Sequence, residues 1–187
     1  LKDEAKLSIY KELKASPEFQ VVNDSASLEV SRLRSQLEPV VPLSLPPKAA
    51  ADARLVLVRH GRTYMNKLRV CRGQRIDDEI DPLGEYEAQR TNEALENISF
   101  DAAYSSNLLR SIQSLSIIRP AVRASATSLL NEVDYGNLEG LSNVKLLCTS
   151  SITSHFDGES TLSVSSRAHD AISYLVDSNP GKTILAV

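Results

Sequence analysis

Apolar residues in the first part of the chain recur at helical spacing. In LKDEAKLSIYKELKA, Leu1, Ala5, Ile9 and Leu13 stand four apart, and in SASLEVSRLRSQL, Leu28, Val30, Leu33 and Leu37 repeat the effect. The spacing predicts two amphipathic helices. EPVVPLSLPPKAAADA, residues 38–53, is rich in Pro and Ala and reads as an extended linker. From Arg54 the period changes. RLVLV is a continuous β-branched and leucine run, the pattern of a strand covered on both faces. After a long loop, Asp81 and Pro82 supply a cap and a first helical residue, and Ala88, Leu95 and Ile98 share one face of the predicted helix. FDAAYSS predicts the next strand, NLLRSIQSLSII a helix stopped near Pro120, and AVRASATSLL a strand running into an irregular loop. Val164, Ala168, Ala171, Ile172 and Leu175 give residues 160–177 helical spacing, and KTILAV predicts a last strand. Strand and helix alternating in this way imply an α/β fold, a three-layer sandwich around a mostly parallel sheet. The division expected is a helical arm and linker at 1–53 followed by one domain at 54–187.

Composition narrows the function classes. The chain has 187 residues, 42% of them apolar, enough to bury a core. Lys and Arg number 21 against 24 Asp and Glu, which argues against a general nucleic-acid binder while leaving room for a local basic pocket. No apolar run reaches the length of a membrane span. Cys71 and Cys148 have no metal-type spacing and read as reduced thiols, which favours an intracellular or organellar setting. The final strand pattern breaks off at Val187, so the domain is expected to be incomplete at its C-terminus. Residues 1–53 carry two open readings: packing on the chain's own domain, or docking a protein partner.

In open α/β sheets, functional groups gather at the carboxyl ends of the strands. The first strand delivers Arg59, His60 and Arg62, with Thr63 and Asn66 close behind; the second delivers Ser105 and Ser106, then Arg110 one helical turn on. The third region offers Glu132, with Asp134 and Glu139 as rivals. Guanidinium forks match the oxygens of a phosphomonoester dianion, and a neutral imidazole can attack phosphorus. Neighbouring arginines disfavour the protonated imidazole, and a carboxylic acid is needed to protonate the leaving oxygen. The acidic run Asp77, Asp78 and Glu79 reads as a solvated loop, with nothing chelating beside it.

LVLVRHGRTYMN resembles the signature of the histidine phosphatase superfamily, the phosphoglycerate-mutase-like proteins, and the resemblance continues in order through RGQRIDDEIDPLGEYEAQ, FDAAYSSNLLRSIQS, NEVDYGNLEG and DGESTLSVSSRAHDAISYL. It implies that His60 is the phosphorylated nucleophile, that Glu132 is the general acid, and that Arg59, Asn66 and Arg110 bind phosphate. Arg62 and Thr63 are candidate substrate contacts, Arg62 standing where the family carries Gln or Glu. It also implies a phosphorylated small-molecule substrate and no cofactor or metal, because the arginines hold the charge. In the family the strand similar to TILAV is followed by a second pocket histidine. The chain ends before that position, and neither His155 nor His169 matches the role. The expected function is a metal-independent phosphomonoesterase. A phosphoglycerate-type mutase and a catalytically inactive docking subunit of a larger assembly stand as alternatives.

Overall fold

The computed structural model describes residues 15, 17–36, 38–142 and 153–187; the helix predicted at 1–13, Leu37 and Cys148 lie outside the described residues. Four strands, β1 (Arg54–Leu57), β2 (Ala102–Ser105), β3 (Ala124–Ala126) and β4 (Thr183–Ala186), form one sheet in the order β1-β4-β2-β3. Every pairing is parallel: Arg54 opposite Thr183, Ala102 opposite Ile184, and Ala103 opposite Ala124 open the three registers. Helices α1 (Pro17–Ser35), α2 (Tyr64–Leu68), α3 (Pro82–Ala94), α4 (Leu109–Ile118) and α5 (Thr161–Asp177) complete the described fold.

Alternation along the strands assigns the layers. Val56 and Val58 face the core of Ala88, Leu95, Ala103, Leu115, Ile118 and Leu185, which belongs to α3, α4 and the sheet. Leu55 and Leu57 face the other way, along an apolar groove of about 310 Å³ shared with Val164, Ala168 and Ile172 of α5. The sheet is therefore sandwiched between helical layers, as the alternation of patterns predicts. The strand covered on both faces is β4, which is buried throughout at the sheet's centre. Among the described strands β1 lies at an edge, and Leu57 is 66% exposed. Its unbroken apolar run reflects one face on the core and one on the groove. In α5 only Ala171 and Leu175 of the five predicted inward residues are buried.

Helix α3 starts as predicted: the Asp81 side chain accepts the Gly84 N–H at 2.8 Å, and Pro82 takes the first helical position. The predicted second helix of the arm begins earlier, at Pro17. Its inward face is Phe19, Val22, Ala26 and Val30, while Leu28 is 72% exposed. α1 packs on α2 and α3. The linker is extended but bonded to the domain: Leu43 N–H donates to Ala94 O at 2.7 Å, Arg90 to Glu38 O at 2.6 Å, and Lys48 Nζ to Gly181 O at 2.7 Å. Among the described residues no helix is long and apolar enough to cross a membrane.

Candidate functional site

A cleft of about 340 Å³ opens over the carboxyl ends of β1, β2 and β4, lined by Arg59, His60, Ser106, Arg110, Ser111 and Glu132 among others. His60 stands three residues past Leu57, the last ladder residue of β1, where the chain must turn. Glycine is required there. A Cβ on Gly61 would stand 2.3 Å from the Gly84 carbonyl oxygen, so the loop after His60 and the first turn of α3 touch backbone to backbone. The fully buried Ser114 fixes the same point from α4: its Oγ accepts the Gly61 N–H at 2.9 Å and donates to Arg110 O at 2.7 Å.

The imidazole is half-buried, with Nδ1 2.7 Å from the Gly61 carbonyl oxygen. That contact assigns the proton to Nδ1 and leaves Nε2 unprotonated, an acceptor. Arg72 Nη2 lies 3.4 Å from Nε2. Burial holds the His60 pKa down at about 4, and the charges of Arg72, Arg110 and Arg59 push the same way, against the Gly61 contact, which raises it. The imidazole is thus neutral at pH 7, as the arginine-rich sequence predicts.

Arg110 is 1% exposed. Its Nη2 donates to Gly73 O at 3.0 Å, while Nε and Nη1 have no hydrogen-bond partner among the described residues. The closest carboxylate to Nη1 is Asp77, at 3.9 Å. Donors left open on a buried guanidinium beside a cleft can meet the oxygens of an anion. Arg59 lines the same cleft from its exposed rim.

Glu132 is exposed at the cleft wall, with its backbone carbonyl accepting Gln74 Nε2 at 2.7 Å. Its rivals serve the scaffold. The Glu139 carboxylate accepts the backbone N–H groups of Gln74, Arg75, Ile76 and Tyr135 at 2.7–3.1 Å, and burial still pushes its pKa up. Asp134 binds Arg75 at 2.8 Å; burial would raise its pKa, but Arg75 and the Gly136 N–H hold it below the usual carboxylate range. Neither lines the cleft.

Three sequence expectations are corrected here. Arg62 turns away from the cleft: Nε donates to Asp81 at 2.7 Å and Nη1 to Glu29 of α1 at 3.1 Å. Thr63 is fully buried and caps α2, accepting the Asn66 N–H while the Asn66 side chain accepts the Thr63 N–H, so it offers no surface to substrate. The acidic run is solvated only in part: Asp77 is exposed, as the sequence predicts, and Asp78 is not. Asp78 is fully buried, accepting the Met65 N–H at 3.1 Å and standing 3.5 Å from Arg72 Nε. The Asp77 carboxylate accepts the Leu109 N–H at 2.8 Å at the start of α4, and burial raises its pKa. The Asp78 carboxylate is drawn inward because the Arg72 guanidinium is there to meet it.

Asn66 reaches the site through a neighbour: its Oδ1 accepts Arg72 Nη2 at 2.9 Å. Arg72, 8% exposed and also bonded to Thr63 Oγ1, is the residue sequence reasoning missed. Burial lowers its pKa to about 10, so it stays cationic at neutral pH. The signal available was a Thr63–Asn66 capping pair, which marks a short helix where a plain loop was expected. His155 and His169 are exposed.

The profile of the histidine phosphatase superfamily (branch 1) matches residues 55–187. A 2,3-bisphosphoglycerate-dependent phosphoglycerate mutase from Cytophaga hutchinsonii is 38% identical over 96 residues, 49% of this chain and 45% of that protein. The fructose-2,6-bisphosphatase TIGAR of Xenopus tropicalis is 32% identical over 136 residues, 65% of this chain and 49% of that protein. The chain spans about half the length of the curated relatives it matches. Among solved structures, YhfR from Bacillus stearothermophilus aligns with a TM-score of 0.64 at 28% identity, covering 72% of this chain and 73% of that one. A phosphoserine phosphatase from Entamoeba histolytica in complex with 3-phosphoglyceric acid aligns at 0.60 and 26% identity, covering 72% of this chain and 73% of that one.

Proposed function

The chain belongs to the histidine phosphatase superfamily, and from that premise we propose that it is a phosphomonoesterase acting on a small phosphorylated metabolite without a metal ion. His60 Nε2 attacks phosphorus, the P–O bond to the leaving group breaks, and Glu132 protonates the departing oxygen. Water then attacks the phosphohistidine, giving up its proton to the Glu132 carboxylate, and releases inorganic phosphate with a neutral imidazole. Arg59, Arg72 and Arg110 hold the phosphoryl oxygens, and Asn66 holds Arg72.

The observation that carries this reading is Arg110: two unpartnered, buried guanidinium N–H groups on a cleft whose floor presents a neutral imidazole. Hydrolysis of p-nitrophenyl phosphate and a panel of phosphorylated metabolites, by the full-length protein and its His60→Ala variant, tests it. Turnover that vanishes in the variant is expected; turnover that survives removes His60 from the chemistry.

A phosphoglycerate-type mutase is the second reading, favoured by the likeness to the phosphoglycerate mutase of Cytophaga hutchinsonii. Supplying 2-phosphoglycerate separates the two. Isomerisation to 3-phosphoglycerate supports the mutase, and release of inorganic phosphate supports the hydrolase. Absence of both, with no phosphate binding, would favour a docking role.

A further inference from the structure

The arm α1 lies outside the segment matched by the family, yet it touches the residues that follow the nucleophile. The Phe19 and Tyr64 rings meet at 4.0 Å between centroids. Tyr64 Oη donates to Asn23 Oδ1 at 2.9 Å, and Glu29 pairs with Arg62 at 3.1 Å. Phe19, Val22 and Tyr64 form a buried cluster completed by Leu68, so both ends of α2 rest on the arm. α2 has five residues, too few to hold a helix by its own hydrogen bonds; it depends on what packs against it. What α2 carries is Asn66, whose Oδ1 takes Arg72 Nη2 at 2.9 Å, and the cap Thr63, whose hydroxyl takes Arg72 Nη1. The same Arg72 Nη2 stands 3.4 Å from His60 Nε2.

We propose that α1 is a positioning element of the phosphate site: by clamping α2 it sets where Asn66 and Thr63 hold Arg72 against His60. Phe19 and Asn23 are its positioning residues. The inference rests on the site assignment given under the proposed function, and it predicts that the arm's inner face governs phosphate affinity from a distance. The groups that face His60 are Arg59 from its own strand end, Arg72 from the loop after α2, Arg110 from α4, and Glu132 across the cleft. Of these only Arg72 is held by α2, so loosening the arm should withdraw one cation from the imidazole and leave the others in place.

The test uses the full chain with Phe19→Ala, Asn23→Ala, Asn23→Asp and Val21→Ala, the last on the arm's exposed face. Two quantities are read: the His60 titration by imidazole NMR, and the affinity for inorganic phosphate by calorimetry. Phe19→Ala is expected to weaken phosphate binding at least fivefold and to move the His60 titration upward. Asn23→Ala should shift both in the same sense by less. Asn23→Asp, which keeps an acceptor oxygen for Tyr64, should restore them, and Val21→Ala should leave both unchanged. If Phe19→Ala does not fold, Asn23→Ala and its rescue decide. Folded variants with wild-type titration and wild-type phosphate affinity would overturn the proposal. Failure of the wild-type protein to bind phosphate would instead strike the proposed function, and the His60 titration would still decide the arm.

Discussion

The loop after His60 has two sides of opposite electrical character. Its front gathers Arg59, Arg72 and Arg110 around an imidazole, with Arg59, Arg110 and Glu132 lining the cleft. Its back places one arginine, Arg62, among three acidic residues: Glu29 and Asp81 on the guanidinium, Glu87 on the backbone N–H at 2.8 Å. The front leaves donors idle and the back leaves almost none. A residue of the same type thus keeps donors open in one place and holds the fold in the other. The difference lies in whether carboxylates of the chain itself reach the guanidinium first.

Substituting Arg110 should break the front most completely. Arg110→Met is expected to lower kcat/KM for a phosphomonoester by about 10²–10³-fold, the scale for losing one preorganised donor of transition-state charge. Because it also removes a buried cation with two unpartnered N–H groups, the thermal midpoint should rise or hold. A steady-state assay paired with calorimetric melting checks both; a fall in stability with unchanged activity would make Arg110 a packing residue.

Next in size is Arg72→Gln. Removing this cation relieves one of the influences that lower the His60 pKa. The acid limb of kcat/KM set by His60, placed near pH 4 in the wild type, should therefore move up toward 6.5, with about a tenfold loss of rate at neutral pH. The sign is fixed: a positive neighbour disfavours the imidazolium, so its removal lets protonation occur at higher pH. A limb that stays in place would separate Arg72 from His60. Burial, the larger cause, remains in the variant and keeps the limb below the free-imidazole value.

The back should respond in the opposite currency of stability. Arg62→Met leaves the fully buried Asp81 without its cation and is expected to cost roughly 1–3 kcal/mol in urea unfolding, with kcat within about threefold of wild type. A large loss of kcat with intact stability would show that Arg62 does serve the cleft.

The strand leading to His60, the Asp81–Pro82 helix start and the placement of Glu132 at the cleft were legible because each is written in contiguous residues. The orientation of Arg62 was not. Two residues beyond His60 in an extended strand would point to the same side, but Gly61 turns the chain between them against Gly84. The burial of Asp78 was equally hidden, since a carboxylate goes inside only where a distant segment brings it a partner, and residue type alone says surface. Arg72 was passed over for the same reason: its place beside His60 is assembled from Thr63, Asn66 and Asp78, none adjacent to it in sequence. The edge position of β1 depends on β4, more than a hundred residues later, which no local pattern encodes.

Asp77 and Asp78 are neighbours in the chain, and each stands behind a different guanidinium of the cleft, at 3.9 Å from Arg110 and 3.5 Å from Arg72. A single peptide unit, about 3.8 Å from one Cα to the next, therefore acts as a covalent ruler for the gap between the two cations. Lengthening that ruler by one inserted residue is expected to spread the two guanidinium groups. Swapping residues on either side, with the count preserved, would leave their spacing alone.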